Sequence, residues 1–352
     1  MQIGAYIREQ PTILAGLPSK VAANLARLAS LQEKPERIVL VGTGSSMNAL
    51  LSAADAFEAL TGATVIAKEP EAFLRRPPIP NNQRTLVVVA SQSGTSLTPV
   101  EAARRSLATG FATIALTGDG ESALAKTGAD VLAMPIGAET VGPKTKGYTA
   151  TVLSLFAIAA ALGGRGLDLA ALAKPLEATV ETGRAAAKAL LARYGVPDYI
   201  LFAGQSQHLG AALESGLKVA EISGVPTAGF DTEEALHGHS YGTTARSLVI
   251  VIVQSEAEAK VAANLGEALT PLGPRLAIAN LSGHVTRFDI DVDWPKAPEY
   301  DWLAATWAPI PFQWYACELA VARGVDPDKM IYPDLGAKLN VRPPKAQPKP
   351  AA

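Results

Sequence analysis

The chain has 352 residues, more than one hydrophobic core usually supports, so two domains are expected. Apolar residues make up 48% and charged residues 18%, a packed globular composition that excludes a disordered chain. A net charge of −2 with no long basic run gives neither nucleic acid nor an anionic membrane an electrostatic footprint.

From the N-terminus, residues 1–34 are expected as a helical segment; the opening Met1-Gln-Ile-Gly lacks the basic and apolar regions of a signal peptide. Short β-branched runs then recur at 38–41, 64–66, 86–90, 113–116 and 131–134. Ala-rich stretches of helical length separate them, as at 47–60 and 98–108. Apolar strands alternating with helices predict a parallel sheet covered on both faces. Residues 152–162 are apolar but too short for a bilayer, and read as a buried helix. A helical connection is expected at 168–193. The alternation then restarts, with strands at 199–203, 248–253 and 276–278, and helices to 222 and from 256. Cys317 is the only cysteine, which excludes an intramolecular disulfide and a multi-cysteine metal site, and makes the reducing cytoplasm the natural compartment. The proline-rich end from Pro343 is expected to be a loose tail. Two α/β domains follow, at 35–166 and 196–330, with a connection at 167–195 and a tail at 331–352.

The halves overlay. Val41-Gly-Thr-Gly-Ser-Ser opens a helix ending near Gly62, and Ala203-Gly-Gln-Ser-Gln opens one ending near Gly224. Val87-Val-Val-Ala-Ser-Gln-Ser matches Val249-Ile-Val-Ile-Val-Gln-Ser, as an internal duplication requires.

Parallel sheets bind ligands at the carboxyl ends of their strands, beside helix N-termini. Gly42-Thr-Gly-Ser-Ser and Ser91-Gln-Ser-Gly-Thr-Ser both take that position. Hydroxyls, a glycine and free backbone N–H groups at a positive helix end suit a phosphate monoester. Ser, Thr and Gly are also ordinary caps, which accounts equally well for Ser45 and Ser46. Six small or polar residues after a buried strand exceed what one cap needs. The second half has Gln254-Ser-Glu-Ala-Glu there, whose carboxylates would repel a phosphate. Met47 stands where a dinucleotide fingerprint has its third glycine, and no P-loop pattern occurs, so nicotinamide and ATP chemistry are disfavoured.

Glu214, Lys218 and Glu221 share one stripe of the helix after Gly204, beside a stripe of Leu213, Leu217 and Ala220 expected to face the core. On that helix alone, an exposed Glu→Lys pair is the simpler account. Asp231-Thr-Glu-Glu then reads as helix initiation, with Asp231 or Thr232 as the cap. His237 and His239 follow; an acid–base role for one of them is more economical than a metal site, and no metal is expected.

These residues together resemble the SIS (sugar isomerase) family, in the tandem arrangement of the isomerase half of glucosamine-6-phosphate synthase. The resemblance rests on Gly42-Thr-Gly-Ser-Ser-Met-Asn-Ala, Ser91-Gln-Ser-Gly-Thr, Glu139 with Lys144-Thr-Lys146, Leu213-Glu-Ser-Gly-Leu-Lys-Val-Ala-Glu-Ile, Glu234-x-x-His237-Gly and Ala337-Lys338. It implies two Rossmann-like, flavodoxin-like domains. It also implies phosphate ligands at Ser91, Gln92, Ser93 and Ser96, and a sugar pocket lined by Ser45, Ser46, Gly142, Glu214 and Lys218. Glu221 would shuttle a proton between C1 and C2, His237 would assist ring opening from a neighbouring subunit, and Lys338 would reach the carbonyl carbon. The resemblance therefore implies a homodimer with the active site at its interface, a phosphorylated sugar as ligand and no cofactor. On this reading the polar stripe points into the active site, not into solvent.

Departures bear on the substrate. Met1 leads straight into the first sugar domain, without the glutaminase cysteine of the synthase, so glutamine-dependent synthesis is expected only with a separate ammonia-supplying subunit. The family's Ala-Ser-Thr-Lys becomes Pro143-Lys144-Thr145-Lys146, and His-Gly-Pro becomes His237-Gly238-His239. The expected activity is removal of an amine from an aminosugar phosphate or a phosphorylated fructosamine. Aldose–ketose isomerisation is second, and a non-catalytic phosphosugar-binding regulator is the reading of another class.

Overall fold

The computed structural model describes residues 1–29, 34–81, 83–134, 136–166, 168, 173–280, 291–293 and 301–339. After helix α1 (Ile3–Ala29), the first half runs β1 (Arg37–Val41), α2 (Ser45–Thr61), β2 (Thr64–Lys68), α3 (Pro70–Arg75), β3 (Thr85–Ala90), α4 (Leu97–Ala108), β4 (Ala112–Thr117), β5 (Asp130–Ala133) and α5 (Lys146–Gly163). Helix α6 (Ala173–Tyr194) leads into the second half. There β6 (Tyr199–Gly204), α7 (Gln207–Ser223), β7 (Thr227–Phe230), α8 (Thr232–Leu236), β8 (Ser247–Val253), α9 (Glu256–Leu269), β9 (Arg275–Asn280) and β10 (Asp291–Asp293) repeat the plan. The chain continues through α10 (Ile310–Ala322) and α11 (Leu335–Lys338). The expected loose tail beyond residue 339 lies outside the described residues.

Both sheets are parallel, with orders β2-β1-β3-β4-β5 and β7-β6-β8-β9-β10. This is one topology used twice, and the switch in strand order falls between β1 and β3 in one sheet and between β6 and β8 in the other. The duplication holds residue by residue. Adding 162 to a first-half number carries Arg37 to Tyr199, Gly62 to Gly224 and Thr85 to Ser247, the starts of β1/β6 and β3/β8 and the left-handed C-caps of α2/α7. The central strands β3 and β8 are buried along their whole length, as their unbroken Val/Ile runs require.

Side chains alternate along each strand, so each sheet serves two cores. Ile38, Leu40, Leu86 and Val88 face inward, as do Ile200, Phe202, Leu248 and Ile250. They share one core with α1, α2, α5, α6, α7 and α10. Outward residues such as Val39 and Val87 pack under α3 and α4, and Leu201 and Val249 under α8 and α9. Helix α5 holds residues 152–162 and is apolar on every side, as a fully enclosed helix must be. Its 18 residues correct the expected length: it is long and apolar enough to cross a membrane, and 89% of it is buried inside the protein.

Candidate active site

The first switch point places two turns side by side. After β1, Gly44 takes φ 57 and ψ −135, which turns the chain into α2 and sets Ser45 and Ser46 half-buried in its first turn. After β3, Gly94 adopts φ 62 and lies so close to Ser122 and Thr117 that an added Cβ would be 2.1 Å from Ser122 Oγ. The loop is pinned at both ends: Gly94 N–H donates to Ser91 O at 2.9 Å, Gly118 N–H to Gln92 O at 2.8 Å, and Leu124 N–H to Gly94 O at 2.9 Å. Ser93 Oγ accepts from Thr95, while Ser96 caps α4 in position but its side chain accepts no cap bond. The backbone N–H groups of Gln92 and Ser93 have no partner among the described residues. A loop with two unpartnered N–H groups and three serine hydroxyls beside a helix N-terminus has the donors that an oxyanion would need.

Helix α7 packs across α2. Gly210 makes its approach to α2 possible: a Cβ there would stand 2.2 Å from Asn48 O and 2.3 Å from Ser52 Oγ. The crossing buries Glu214 completely, where Asn48 Nδ2 donates to Oε2 at 2.9 Å. Lys218, also buried, lies 3.5 Å from Glu214 Oε1 and 2.6 Å from Glu221 Oε2. Glu221 is 31% exposed, so the triad runs from the core to solvent. Burial raises the pKa of Glu214. Burial also opposes the charge of Lys218, but the Glu214 and Glu221 carboxylates outweigh it and raise the ammonium's pKa. Lys218 is therefore a fixed cation, and its hydrogen bond holds one carboxylate at the mouth.

Both accounts of the α7 stripes given by periodicity need correction. The Glu–Lys pair is not an exposed helix pair, and Leu213, Leu217 and Ala220 are only half-buried while Glu214 and Lys218 lie inside. The α2 crossing decides this, since its backbone brings a polar partner, Asn48, to the inner face.

Glu139 binds the start of α5. Its carboxylate accepts from Thr145 N–H at 2.7 Å, Thr145 Oγ1 at 3.1 Å, Lys146 N–H at 3.2 Å and Gly147 N–H at 3.1 Å, satisfying the start of that helix. Gln92 packs against the same glycine. Lys144 Nζ donates to Glu139 O, and Gly142, at φ 52, sits against the carbonyls of Pro327 and Asp328. Lys146 instead pairs with Glu9 at 2.8 Å and holds α1 in place. Asn48 and Glu139, which the sequence reading quoted only within motifs, and Tyr148, whose hydroxyl meets Ser52 at 2.9 Å, had no function assigned there. Asn48 does stand in the Gly42–Ala49 motif that carries the resemblance, one helical turn after Ser45.

Two expected residues stand apart. Asp231 caps α8 as expected, accepting from Glu233 N–H, and His237 ends that helix on the surface, its Nδ1 bonded to Glu233 O at 2.9 Å. Its neighbour His239 stacks on Phe230 with centroids 3.6 Å apart. Lys338 ends α11 with an exposed side chain. Among the described residues, no hydrogen bond joins His237 or Lys338 to the α7 carboxylates. Nor does any group of three His, Cys, Asp or Glu there suit a metal ion.

Two copies of one open parallel sheet, covered by helices, define a duplicated Rossmann-like α/β protein. The family model of the SIS domain matches residues 30–161 and again 197–323, and the chain belongs to that family. A glutamine–fructose-6-phosphate aminotransferase (isomerizing) of Acidithiobacillus ferridurans is 27% identical over 316 residues, 86% of this chain and 51% of that protein. The chain spans about half the length of the curated relatives it matches. Among solved structures, glucosamine-6-phosphate deaminase from Thermotoga maritima superposes with a TM-score of 0.77 at 23% identity, covering 94% of this chain and 98% of that one. Tagatose-6-phosphate ketose/aldose isomerase from Escherichia coli gives 0.81 at 20% identity, covering 98% and 97%. Both share the fold.

Proposed function

We propose that this chain is an enzyme that removes an amine from an aminosugar phosphate or a phosphorylated fructosamine. One observation carries the reading: a partly exposed carboxylate, Glu221, held by a buried cation on the helix that packs against α2, whose first turn carries Ser45 and Ser46. The phosphate binds at Ser91, Gln92, Ser93 and Ser96, and the sugar extends past Ser45, Ser46 and Gly142 toward Glu214, Lys218 and Glu221. Glu221 takes the proton from the carbon next to the carbonyl or imine and returns it to the neighbouring carbon through an enolamine. For a 2-amino-aldose the proton moves from C2 to C1, leaving an imine at C2 that water hydrolyses to a ketose phosphate and ammonia. For a fructosamine it moves from C1 to C2, and hydrolysis of the C1 imine yields an aldose phosphate and the free amine. One base serves both carbons because they are adjacent. His237 from a second subunit opens the ring, and Lys338 approaches the carbonyl carbon; both roles rest on the family resemblance.

The test is to incubate the protein with glucosamine 6-phosphate, with fructose 6-phosphate plus ammonia, and with a fructosamine 6-phosphate, following ammonia, amine and hexose phosphate. Release of ammonia or amine supports the proposal. Binding without turnover of any of them would replace it with a phosphosugar-binding regulator, and interconversion without amine loss with a plain isomerase. Glu221→Gln is expected to lower kcat about 100-fold or more while phosphate affinity is kept. An active Glu221→Gln enzyme would remove the base from the scheme.

A further inference from the structure

The segment that follows α10 is tied to three other parts of the molecule before it reaches Lys338. Its Asp328 carboxylate accepts from the start of α1: Gln2 N–H donates to Oδ2 at 2.7 Å and Ile3 N–H to Oδ1 at 2.8 Å. Those are donors that a helix start cannot satisfy within itself. Gly142 lies against the same turn, where an added Cβ would stand 3.3 Å from Pro327 O and 3.6 Å from Asp328 O. Ile331 then packs on Gly224, where a Cβ would be 2.8 Å from Ile331 Cδ1. Gly224 is the left-handed cap that ends α7, just beyond Glu221.

Helix α1 holds the neighbouring segment as well. Gln2, Tyr6 and Gln10 fall on one of its faces. Gln2 Nε2 donates to Thr140 Oγ1 at 3.2 Å, Thr140 N–H to Tyr6 OH at 2.9 Å, and Thr149 Oγ1 to Gln10 Oε1 at 2.6 Å. The run from Glu139 into α5 and the strap at 326–331 are therefore fixed to the same helix. Asp326 braces the strap, accepting from Asp328 N–H at 3.0 Å and pairing with Lys329 at 3.2 Å. Past Ile331 the chain winds straight into α11, with Leu335 N–H donating to Tyr332 O at 3.2 Å and Lys338 N–H to Asp334 O at 3.0 Å. The Lys338 side chain is exposed, so the backbone that carries it sets its place. Capping explains why an acceptor meets α1; it does not explain why the capping strap goes on to close against the end of α7.

We propose that Asp328 is a positioning residue: by holding the first N–H groups of α1 it fixes the strap that carries Lys338 and seats that strap on the end of α7 that carries Glu221. The proposal rests on the reading of Glu221 and Lys338 as the groups that act on the sugar. Asp328 acts through the strap backbone, and misplacing a reacting group by about 1 Å costs up to about 100-fold in rate.

The full chain, labelled at its isoleucine δ1 methyls and backbone amides, carries the test. In the wild type the Ile331 methyl should give a nuclear Overhauser contact to Gly224, and Asp328→Ala should abolish it. On whichever of the three sugar phosphates the wild type turns over, Asp328→Ala should lower kcat about 10- to 100-fold and leave KM within about twofold, because the serine loop still takes the phosphate. A cap with a structural role only would lower the melting temperature and move neither readout of the folded protein. Survival of the methyl contact, or a kcat within about twofold of wild type, would overturn the proposal. A wild type inactive on all three compounds would instead overturn the proposed activity, and the methyl contact would still decide whether Asp328 sets the strap. If Asp328→Ala fails to fold, Asp328→Asn takes its place, since it keeps the shape and one acceptor but turns a donor toward the other N–H group. The same changes are expected, and an Asp328→Asn protein equal to wild type in both readouts would refute the idea.

Discussion

Replacing Lys218 by Met removes the cation that two carboxylates share while nearly keeping the side-chain volume. Glu214 then loses its ionic partner at complete burial, and its Oε1 has no hydrogen bond to fall back on. Only Oε2 stays satisfied, by Asn48. Removing one member of a buried pair costs about 3–5 kcal/mol, because the remaining charge stays desolvated or must take up a proton. Unfolding in urea at pH 7.5 should show a loss of that size. Adding Glu214→Gln removes the stranded charge and should recover roughly half or more of it, a non-additivity of about 2 kcal/mol. The pH dependence has a definite sign. An acid whose folded pKa is raised binds more protons in the native than in the unfolded state, so its penalty grows as pH rises above the ordinary carboxylate value. The Lys218→Met deficit should therefore shrink as the pH is lowered toward 5. A Lys218→Met protein within about 1 kcal/mol of wild type at pH 7.5, or a double variant no more stable than the single one, would refute the reasoning.

Gly94→Ala forces a side chain into Ser122 at a left-handed φ, so the loop must open; a rise in KM or in the phosphate dissociation constant of about tenfold or more is expected, read by titration calorimetry. Gly210→Ala pushes α2 away from α7 and should cost about 1–3 kcal/mol in urea unfolding, with kcat falling because the Asn48–Glu214 bond lengthens. Burial lowers the pKa of His208 from 6.5 to about 4, against the opposing effect of its bond to Gln254. The native state then holds fewer protons than the unfolded state between those values, so stability falls as pH drops from 6.5 toward 4. His208→Gln should flatten that part of a stability–pH profile, and an unchanged acid limb would show that His208 does not set it.

Most of the strand and helix order was readable in the sequence because it is written in local periods, unbroken Val/Ile runs for buried strands and Ala-rich amphipathic stretches for helices; the short α3 (Pro70–Arg75), β7 (Thr227–Phe230) and β10 (Asp291–Asp293) were not read. Gly62 and Gly224 marked two helix ends because only a residue without Cβ takes the left-handed cap cheaply. The serine loop was readable for the same reason, its residues being contiguous and following a strand. The α7 polar stripe was not. Periodicity cannot say which face of a helix meets another helix when the partner, Asn48, lies 166 residues away in the chain.

What the sequence determined by itself is the duplicated α/β plan and the position of the serine loop after β3, since both follow from short-range pattern and chain order. Tertiary structure alone decided that Glu214 and Lys218 are interior, that Glu139 is held by the start of α5, and that His237 and Lys338 lie on the surface of the chain. It also decided that Glu258 accepts from the backbone N–H groups of Gln254 and Ser255 and so closes the start of α9. Each of these depends on which backbone groups another segment has already satisfied, and that is settled only when the segments pack together.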